Sequence, residues 1–333
     1  MIRHELIPLS SPAAWREALA GVPHELWHTW EYCSALRLTV RDEIHLYCYR
    51  SDEATIVCPL LERSLGSSAD VATPPGFAGF VGTGADPGFP REWARFAAGR
   101  GWVCGYLALH PCLEGPSGFD PGEVHASNSV YVLDLRRGPE ALFAALDRNR
   151  RRQLRDWDAV SAGLLHDRGP LAAFLVREYP ASLRRLGASP SYERSGETLA
   201  RLCELDNVLL VGAGTPERVE AVHAFAFTPH AGTSLFSVSL PEGRRHTTYL
   251  IWHGIRALAS RGVPFLNLGG GVREDDGVAR AKQRFGGRRL ALRCLKQVYR
   301  PEVYASLCAR RGADPADRSG YFPAYRDSRS VRI

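Results

Sequence analysis

The sequence predicts a mixed α/β fold in which one kind of unit is used twice. Residues 94–107, ARFAAGRGWVCGYL, and residues 255–268, IRALASRGVPFLNL, each give the end of a helix, a glycine and a buried strand. Aligned with each other, the two segments share Arg, Ala, Arg and Gly at a constant offset of 161 residues. Strand pairs with hairpin-type turns precede both segments, as in HLYCYRSDEATIVCPLLERSL and NVLLVGAGTPERVEAVHAFAFTP. Antiparallel strands, a helix and a further strand therefore form each half.

The length and the apolar content indicate a globular protein. The chain has 333 residues, 45% of them hydrophobic, enough for one large or two ordinary domains with full cores. The N-terminus MIRHELIPLSSPAAWREALAG lacks the apolar stretch of a signal peptide. No run reaches the roughly 18 apolar residues that a membrane span needs. We therefore expect a cytoplasmic protein without a membrane span.

Cysteine spacing argues against a metal site, and the net charge bears on the kind of binding partner. The eight cysteines are scattered and include no CxxC pair, so they are typical of buried thiols, and we expect no metal site. The net charge of +6 and the pI of about 9.0 permit an anionic partner such as a nucleic acid or a phosphorylated substrate.

An arginine-rich segment lies between the halves. Residues 139–158, PEALFAALDRNRRRQLRDWD, contain no internal Gly or Pro and predict one amphipathic helix. Spacings of three and four residues place Arg148, Arg151, Arg152 and Arg155 in one basic stripe, which is either a solvated face or an anion-binding surface. Arg150 falls on the apolar face, where a guanidinium must snorkel or be paired. The predicted organisation is an N-terminal domain, a basic connecting helix and a C-terminal domain, at residues 1–138, 139–160 and 161–333.

The segment LNLGGGVREDDGVARAKQRFGG contains one of only two lysines among 42 basic residues. A chain that otherwise uses arginine keeps Lys282 here, which suggests a need for a compact, rotatable point charge. The other lysine, Lys296, lies in CLKQVYR without an obvious site around it. Chance is the alternative explanation for Lys282.

One segment resembles the core of the GNAT acyltransferase fold in its order of strand, loop, helix, strand and glycine turn. This segment is SLFSVSLPEGRRHTTYLIWHGIRALASRGVPFLNLGGG. In that family the loop before the helix offers backbone amides to the pyrophosphate of coenzyme A. Here the corresponding residues, 244–248, contain no glycine, which weakens an acyl-CoA interpretation. If acyl-CoA were the donor, Arg245 and Thr248 would be its binding residues.

Over nearly the whole chain, the sequence resembles the FemAB-like tandem-GNAT proteins. The resemblance rests on WHTWEYCSAL, ATPPGFAGFVG, RNRRRQLRDWDAVSAGLL, HTTYLIWHGI and LNLGGG followed by AKQRFGG, in that order. It implies two tandem GNAT-like domains and transfer of an amino acid from aminoacyl-tRNA to an amine on a cell-wall precursor, while relatives make small natural products. Two departures are Ala281, where the family usually has Phe, and the absence of a long coiled-coil arm for tRNA.

The chemistry of acyl transfer suggests roles for individual residues. A tetrahedral oxyanion needs a cation or N–H donors, and Lys282 is the candidate cation. Asp275, in the acidic loop, and His253, on the preceding helix, are candidate proton acceptors, with a solvated loop and a structural histidine as the alternatives. The glycine turn could bind substrate or be a plain tight turn, and the aromatic residues could contact substrate or serve only in packing. The candidate substrate-binding residues are Gly269, Gly270, Gly271, Arg150, Arg284, Phe285, Phe77, Tyr179 and Tyr192.

The sequence therefore predicts a tRNA-dependent aminoacyltransferase that acts on the amine or hydroxyl of a small-molecule or phosphorylated precursor. Aminoacyl-tRNA would be a co-substrate, with tRNA held by the arginine stripe, and no tightly bound cofactor is expected. One alternative is an N-acyltransferase that uses acetyl-CoA or another acyl-CoA on an amino sugar or similar amine. A second is a non-catalytic RNA-binding protein. The sequence does not indicate the oligomeric state.

Overall fold

The computed structural model describes residues 2–187, 192–215 and 217–327. Backbone contacts divide the described residues into two compact units. The first unit contains residues 2–23, 41–127 and 292–327, and the second contains the described residues of 24–40 and 128–291. The sequence predicted domains that are each one continuous segment of the chain. In the structure, residues 24–40 group with the second unit, and residues 292–327 group with the first. Within the described residues, no helix combines the length and the apolar character needed to cross a bilayer.

The elements follow in chain order. The first part of the chain forms β1 (Arg3–Pro8), α1 (Pro12–Leu19), α2 (Trp30–Leu36), β2 (Glu43–Arg50), β3 (Ala54–Leu65), β4 (Ser68–Ala72), β5 (Val81–Gly84), α3 (Phe89–Gly99), β6 (Trp102–Leu109) and β7 (Val124–Asp134). Then come α4 (Gly138–Ala145), α5 (Arg148–Gln153), α6 (Trp157–Ser161), α7 (Arg168–Leu186), α8 (Gly196–Glu204), β8 (Val208–Gly214), β9 (Val219–Phe227), β10 (Gly232–Ser239), α9 (Thr247–Ala259), β11 (Phe265–Asn267), α10 (Gly277–Gln283), β12 (Arg288–Val298) and α11 (Pro301–Ala309).

In the first unit the strands run in the order β1-β2-β3-β4-β6-β12, and β5 pairs with β3. The pairs β1/β2, β2/β3, β3/β4 and β6/β12 are antiparallel, and β4/β6 is parallel. Helix α3 buries Phe89, Trp93 and Ala97, spaced four residues apart, on one face. These side chains pack with Tyr47 and Trp102 in an aromatic core.

The PPGFAGF segment is a loop that lies along β6, as its prolines and glycines predicted. Thr73 N donates to Tyr106 O at 3.1 Å, and Phe80 forms a parallel bridge with Leu109. A Cβ atom on Gly79 would overlap the carbonyl of Ala108. The loop therefore fills the edge of β6 beyond the end of β4.

In the second unit the strands run in the order β8-β9-β10-β11-β7. Pairs β8/β9, β9/β10 and β11/β7 are antiparallel, while β10/β11 is parallel and is connected through α9. A Cβ atom on Gly212 would meet Leu171 of α7, and one on Gly254 of α9 would meet Phe225 of β9. Because alternate residues of a strand point to opposite faces, the register of β8 with β9 places α7 and α9 on opposite faces of this sheet.

The single helix predicted over residues 139–158 is wrong: three short helices, α4, α5 and α6, occupy this stretch. The backbone is extended at Leu146 and Asp147, with ψ of 147° and 159°. Asp147 Oδ1 accepts a hydrogen bond from Arg150 N at 2.7 Å, so Asp147 is the N-cap of α5. The side chain of Asp147 thus starts a new helix where hydrophobic spacing alone predicted a continuous one.

Candidate functional site

Three consecutive glycines follow β11, and local packing requires two of them. Gly269 has a φ of +75° and donates its N–H to Asn267 Oδ1 at 2.8 Å. A Cβ atom on Gly270 would overlap the carbonyl oxygen of Ser129, and one on Gly271 would overlap the carboxylate of Asp276. This close packing fixes the direction of the Gly270 carbonyl. The glycine turn is thus a precise backbone turn, and its predicted contact with substrate stays a prediction.

Asp276 shapes the loop between the glycines and α10. As N-cap of α10 it accepts a hydrogen bond from Ala279 N at 2.8 Å, and it also accepts from Val272 N at 2.8 Å and Arg273 N at 3.0 Å. Burial alone would raise the pKa of Asp276, but these backbone N–H groups lower it. Asp276 is therefore a carboxylate that pins the loop.

The neighbouring Asp275, the predicted proton acceptor, forms an ion pair with Arg289. Its φ is +53°, and its Oδ1 lies 3.3 Å from Arg289 Nη1. Arg289 also binds the carboxylate of Glu274. The acidic residue whose charge acts on Lys282 is Asp276. The role of Asp275 as a proton acceptor stays a prediction.

Lys282 projects from α10 onto the glycine turn. Its Nζ donates to Gly270 O at 2.7 Å. Burial lowers the pKa of Lys282 to about 8, with Asp276 acting in the opposite direction. The amine is therefore charged at neutral pH, in a surrounding that makes the charge costly and its electrostatic effect strong.

Lys296, the other lysine of the chain, has a structural role. Its Nζ donates to Arg318 O at 2.5 Å and to Gly320 O at 2.8 Å, and the residue is 9% exposed. Lys296 thus ties the C-terminal segment of the first unit to β12. It is a buried cation with two fixed acceptors, whereas Lys282 donates to one carbonyl oxygen among the described residues, that of Gly270.

A histidine and a serine that were not predicted from the sequence form a hydrogen-bonded pair on β9 and β10, the strands that precede β11 in the sheet. Strands β10 and β11 pair at Gly232/Leu266 and Thr233/Asn267, and Ser234 is the next residue of β10. The register of β10 against β9 shifts between Ser234 and Phe236. His223 Nε2 lies 2.8 Å from Ser234 Oγ. Burial, followed by the charge of Lys282, lowers the pKa of His223 to about 3.

Arg150 links α5 to α9 and α10. Its Nη1 donates to Thr248 Oγ1 at 2.5 Å and to Gln153 Oε1 at 2.9 Å, and its Nη2 donates to Ala281 O at 3.4 Å. The guanidinium also lies over the ring of Phe285, 5.0 Å from the centroid. The sequence predicted that Arg150 snorkels or pairs with an anion; instead the guanidinium binds a hydroxyl, an amide and the main-chain carbonyl of the residue before Lys282.

Arg284 and Phe285, predicted to bind substrate, take part in the same connection. Arg284 Nε lies 3.5 Å from Asp147 Oδ2, and Asp147 N donates to Arg284 O at 3.0 Å. Phe285 is 1% exposed and belongs to the core of the second unit. Arg284 therefore joins α10 to the start of α5, and Phe285 supports Arg150 from within the core.

The start of α9 is not an open turn of free amides. A 3-10 helix at Glu242–His246 runs directly into α9, and Thr247 N donates to Arg244 O. Gly243 N and Arg244 N donate to the carbonyls of Leu240 and Pro241. Arg245 Nη2 binds Glu220 Oε2 at 3.2 Å. Several groups that would bind a pyrophosphate in the acyl-CoA alternative are thus already bonded within the protein.

His253, the other predicted proton acceptor, lies on α9 beside His166, with ring centroids 5.0 Å apart. The ring centroid of Trp157 lies 6.4 Å away. Burial lowers the pKa of His253 to about 4, and His166 and two arginines add to the effect. The contacts of His253 are therefore those of a neutral, packed histidine, and its role as a base stays a prediction.

Tyr179, Tyr192 and Phe77 are the other aromatic residues predicted to bind substrate. Tyr179 is buried on α7, donates its OH to Tyr192 O at 3.2 Å and packs edge-on against Phe236 at 5.0 Å. Tyr192 is 52% exposed. Phe77 is partly buried in the loop of the first unit. Their roles in substrate binding stay predictions.

The basic stripe is exposed although it does not lie on one helix. Helix α5 carries three of its members, and Arg155 follows α5. Arg152 Nη2 donates to Asn149 Oδ1 at 2.8 Å. The exposed members of the stripe are Arg148, Arg151, Arg152 and Arg155.

Comparisons with known proteins identify the fold. No protein-family model matches the sequence, and no curated protein is significantly similar to it. The crystal structure of FemX superposes with a TM-score of 0.62 at 11% sequence identity, covering 91% of this chain and 99% of FemX. A conserved protein of unknown function from Bacteroides thetaiotaomicron gives a TM-score of 0.56 at 10% identity, covering 90% of this chain and 100% of that chain.

A third similar structure is the C-terminal domain of a protein provisionally assigned as a lysylphosphatidylglycerol synthetase, from Agrobacterium fabrum. Its TM-score is 0.51 at 13% identity, and the match covers 90% of this chain and 94% of that chain. Identities this low establish the architecture alone. The chain therefore has the fold of FemX, with mixed α/β sheets, in agreement with the FemAB-like fold that the sequence predicted.

Proposed function

We propose that the protein is an acyltransferase that moves an aminoacyl group from charged tRNA to the amine or hydroxyl of a small-molecule or phosphorylated precursor. The observation that carries the proposal is a partly buried ammonium, Lys282, held by the Gly270 carbonyl just beyond β11. The fold shared with FemX supports acyl transfer as the general class.

The chemistry of the site follows from charge development. Attack of an amine on the ester carbon forms an N–C bond and a tetrahedral oxyanion, and collapse breaks the ester C–O bond. The amine loses a proton, and the leaving ribose oxygen gains one. An ammonium near the oxyanion stabilises it, and more strongly in a partly buried site than in water. Lys282 is the residue to which we assign this role.

A tRNA donor is favoured over acyl-CoA by the surroundings of α9. Arg150 and Gln153 already bind Thr248, and the amides of Gly243, Arg244 and Thr247 are bonded to main-chain carbonyls. The exposed arginines of α5 follow directly on Asp147, whose Oδ2 lies 3.5 Å from Arg284 Nε. Such a surface suits the closely spaced phosphates of RNA.

Salt-dependent binding tests the choice of donor. We expect purified protein to bind charged tRNA with an affinity that falls steeply as salt rises, and to bind acetyl-CoA weakly. Changing Arg151 and Arg152 to Gln should lower the slope of log affinity against log salt by about 0.7–0.9 for each phosphate contact that is lost. Because Arg310 and Arg311 are also adjacent and exposed, the matched control changes these two to Gln.

Equal slopes for the two double variants would contradict the assignment of the stripe. Tight binding of acetyl-CoA, without saturable binding of tRNA, would contradict the proposed donor and favour the acyl-CoA alternative.

The pKa of Lys282 predicts the pH dependence. Below pH 8 the amine is charged, and it loses its proton as the pH rises through about 8. The single-turnover rate of transfer should therefore fall above pH 8. Between pH 8 and the ordinary lysine pKa of 10.5, the unfolded chain binds more protons than the folded protein. The free energy of unfolding of wild type relative to Lys282→Met should therefore rise with pH across that window. A rate that continues to rise up to pH 10 would contradict a catalytic ammonium.

A further inference from the structure

Two polar side chains form a hydrogen-bonded pair within the apolar strands of the second unit. His223 of β9 is 2% exposed, and its ring stacks on Phe225 with centroids 4.2 Å apart. Its Nε2 lies 2.8 Å from Ser234 Oγ on β10, while Nδ1 has no hydrogen-bond partner among the described residues. A buried polar ring with one unmatched nitrogen requires an explanation.

The unmatched nitrogen indicates which tautomer is present. The depressed pKa of His223 makes the ring neutral, so one nitrogen carries a proton and the other a lone pair. A buried N–H without an acceptor is more costly than an acceptor without a donor. We therefore assign the proton to Nε2, which then donates to Ser234 Oγ.

This tautomer directs the hydroxyl hydrogen of Ser234 away from His223. Ser234 is partly exposed, and it is the first residue of β10 beyond the pairing with β11. The adjacent β-bulge changes the direction of the side chains at this point, as bulges often do next to active sites. The glycine turn leaves β11 directly after the last of these parallel pairs, Thr233/Asn267, and Gly270 of that turn accepts the hydrogen bond from Lys282. The O–H group of Ser234 and the turn that holds the ammonium therefore lie at the same end of the β10/β11 pairing.

We propose that Ser234 donates a hydrogen bond to the acyl carbonyl oxygen during transfer, and that His223 is the positioning residue that holds Ser234 in its donating orientation. This inference rests on the proposed function, because it adds a neutral donor to the charged one at the same oxyanion. Ser234 neither gains nor loses a proton in the step. The hydrogen bond from Ser234 does not change which bonds form and break in the transfer, or where the amine proton goes.

The first test compares hydroxyl and methyl groups at position 234. Ser234→Ala should lower kcat by about 10²–10³, the usual effect of removing one oxyanion donor, with little change in KM. Ser234→Thr keeps a hydroxyl and should retain most of the rate. Ser237, which is exposed on the same strand, offers the control Ser237→Ala, which should behave as wild type. An unchanged kcat in folded Ser234→Ala would overturn the proposal.

The second test separates positioning from a structural role for His223. His223→Phe should lower kcat in the wild-type background and should have no further effect in Ser234→Ala, because the histidine acts only through the hydroxyl. His223→Gln can offer a replacement N–H and should recover part of the rate. An equal loss of kcat from His223→Phe in both backgrounds would show that the histidine acts independently of Ser234.

Failure of this inference is distinguishable from failure of the proposed function. If wild-type protein transfers no aminoacyl group from charged tRNA, the proposed donor is wrong. If wild type transfers and Ser234→Ala transfers equally well, the reaction stands and the role of Ser234 is wrong.

Discussion

Lys282→Ala is expected to lower the rate of aminoacyl transfer by about 10²–10³, because it removes the charge at the developing oxyanion. The ammonium is held in place by Gly270 O at 2.7 Å. Lys282→Arg should lose most of the rate as well, since a planar, branched guanidinium cannot take the position of a compact ammonium. Single-turnover transfer from charged tRNA measures the effect on the chemical step, and circular dichroism confirms that each variant is folded.

Lys296→Met is the matched control for the loss of a buried lysine. Because Lys296 binds two main-chain carbonyls, its removal should lower the free energy of unfolding by about 1–3 kcal/mol and leave kcat unchanged. A folded Lys282→Ala variant with wild-type turnover would rule out the proposed role of Lys282.

Gly270→Ala is expected to reduce transfer about as strongly as Lys282→Ala. The added methyl group would overlap the carbonyl oxygen of Ser129, which is backbone and cannot turn aside. The turn must therefore shift, and the Gly270 carbonyl that holds the ammonium shifts with it. Overpacking of this kind also costs stability, typically about 1–3 kcal/mol. Transfer rates and urea denaturation measure the two effects.

Gly277 provides the control within the same loop region. A Cβ atom at Gly277, the first residue of α10, has nothing within 4 Å. Gly277→Ala should therefore leave the rate unchanged and slightly favour the helix. If both glycine variants retained full activity, the geometry of the turn would be irrelevant to transfer.

Local chemical signals in the sequence pointed to the lysine and the glycine turn of the candidate site. The rarity of lysine selected Lys282, and consecutive glycines after a buried strand marked a turn with close backbone packing. The residue pattern predicted the two helix-then-strand segments α3/β6 and α9/β11, because strand and helix periodicity depend mainly on residues close in the chain. These features could be predicted since neighbouring residues determine them.

The features that were missed depend on contacts between residues far apart in the chain. His223 and Ser234 become partners only through the register of β9 and β10 and the bulge beside Ser234. A polar residue in VEAVHAFAF was the one available signal for His223. The break at Asp147 was missed because apolar spacing continues across it, whereas the N-cap geometry overrides that spacing.

The bonds of Arg150 determine how this scaffold could be re-engineered for another acyl donor. Opening the start of α9 to a nucleotide first requires removal of the guanidinium from Thr248. The same substitution releases the carbonyl of Ala281 and uncovers the ring of Phe285, both beside Lys282. A mutant library directed at donor specificity should therefore vary α5 and α10 together, because a change confined to either helix leaves the other with unmatched partners.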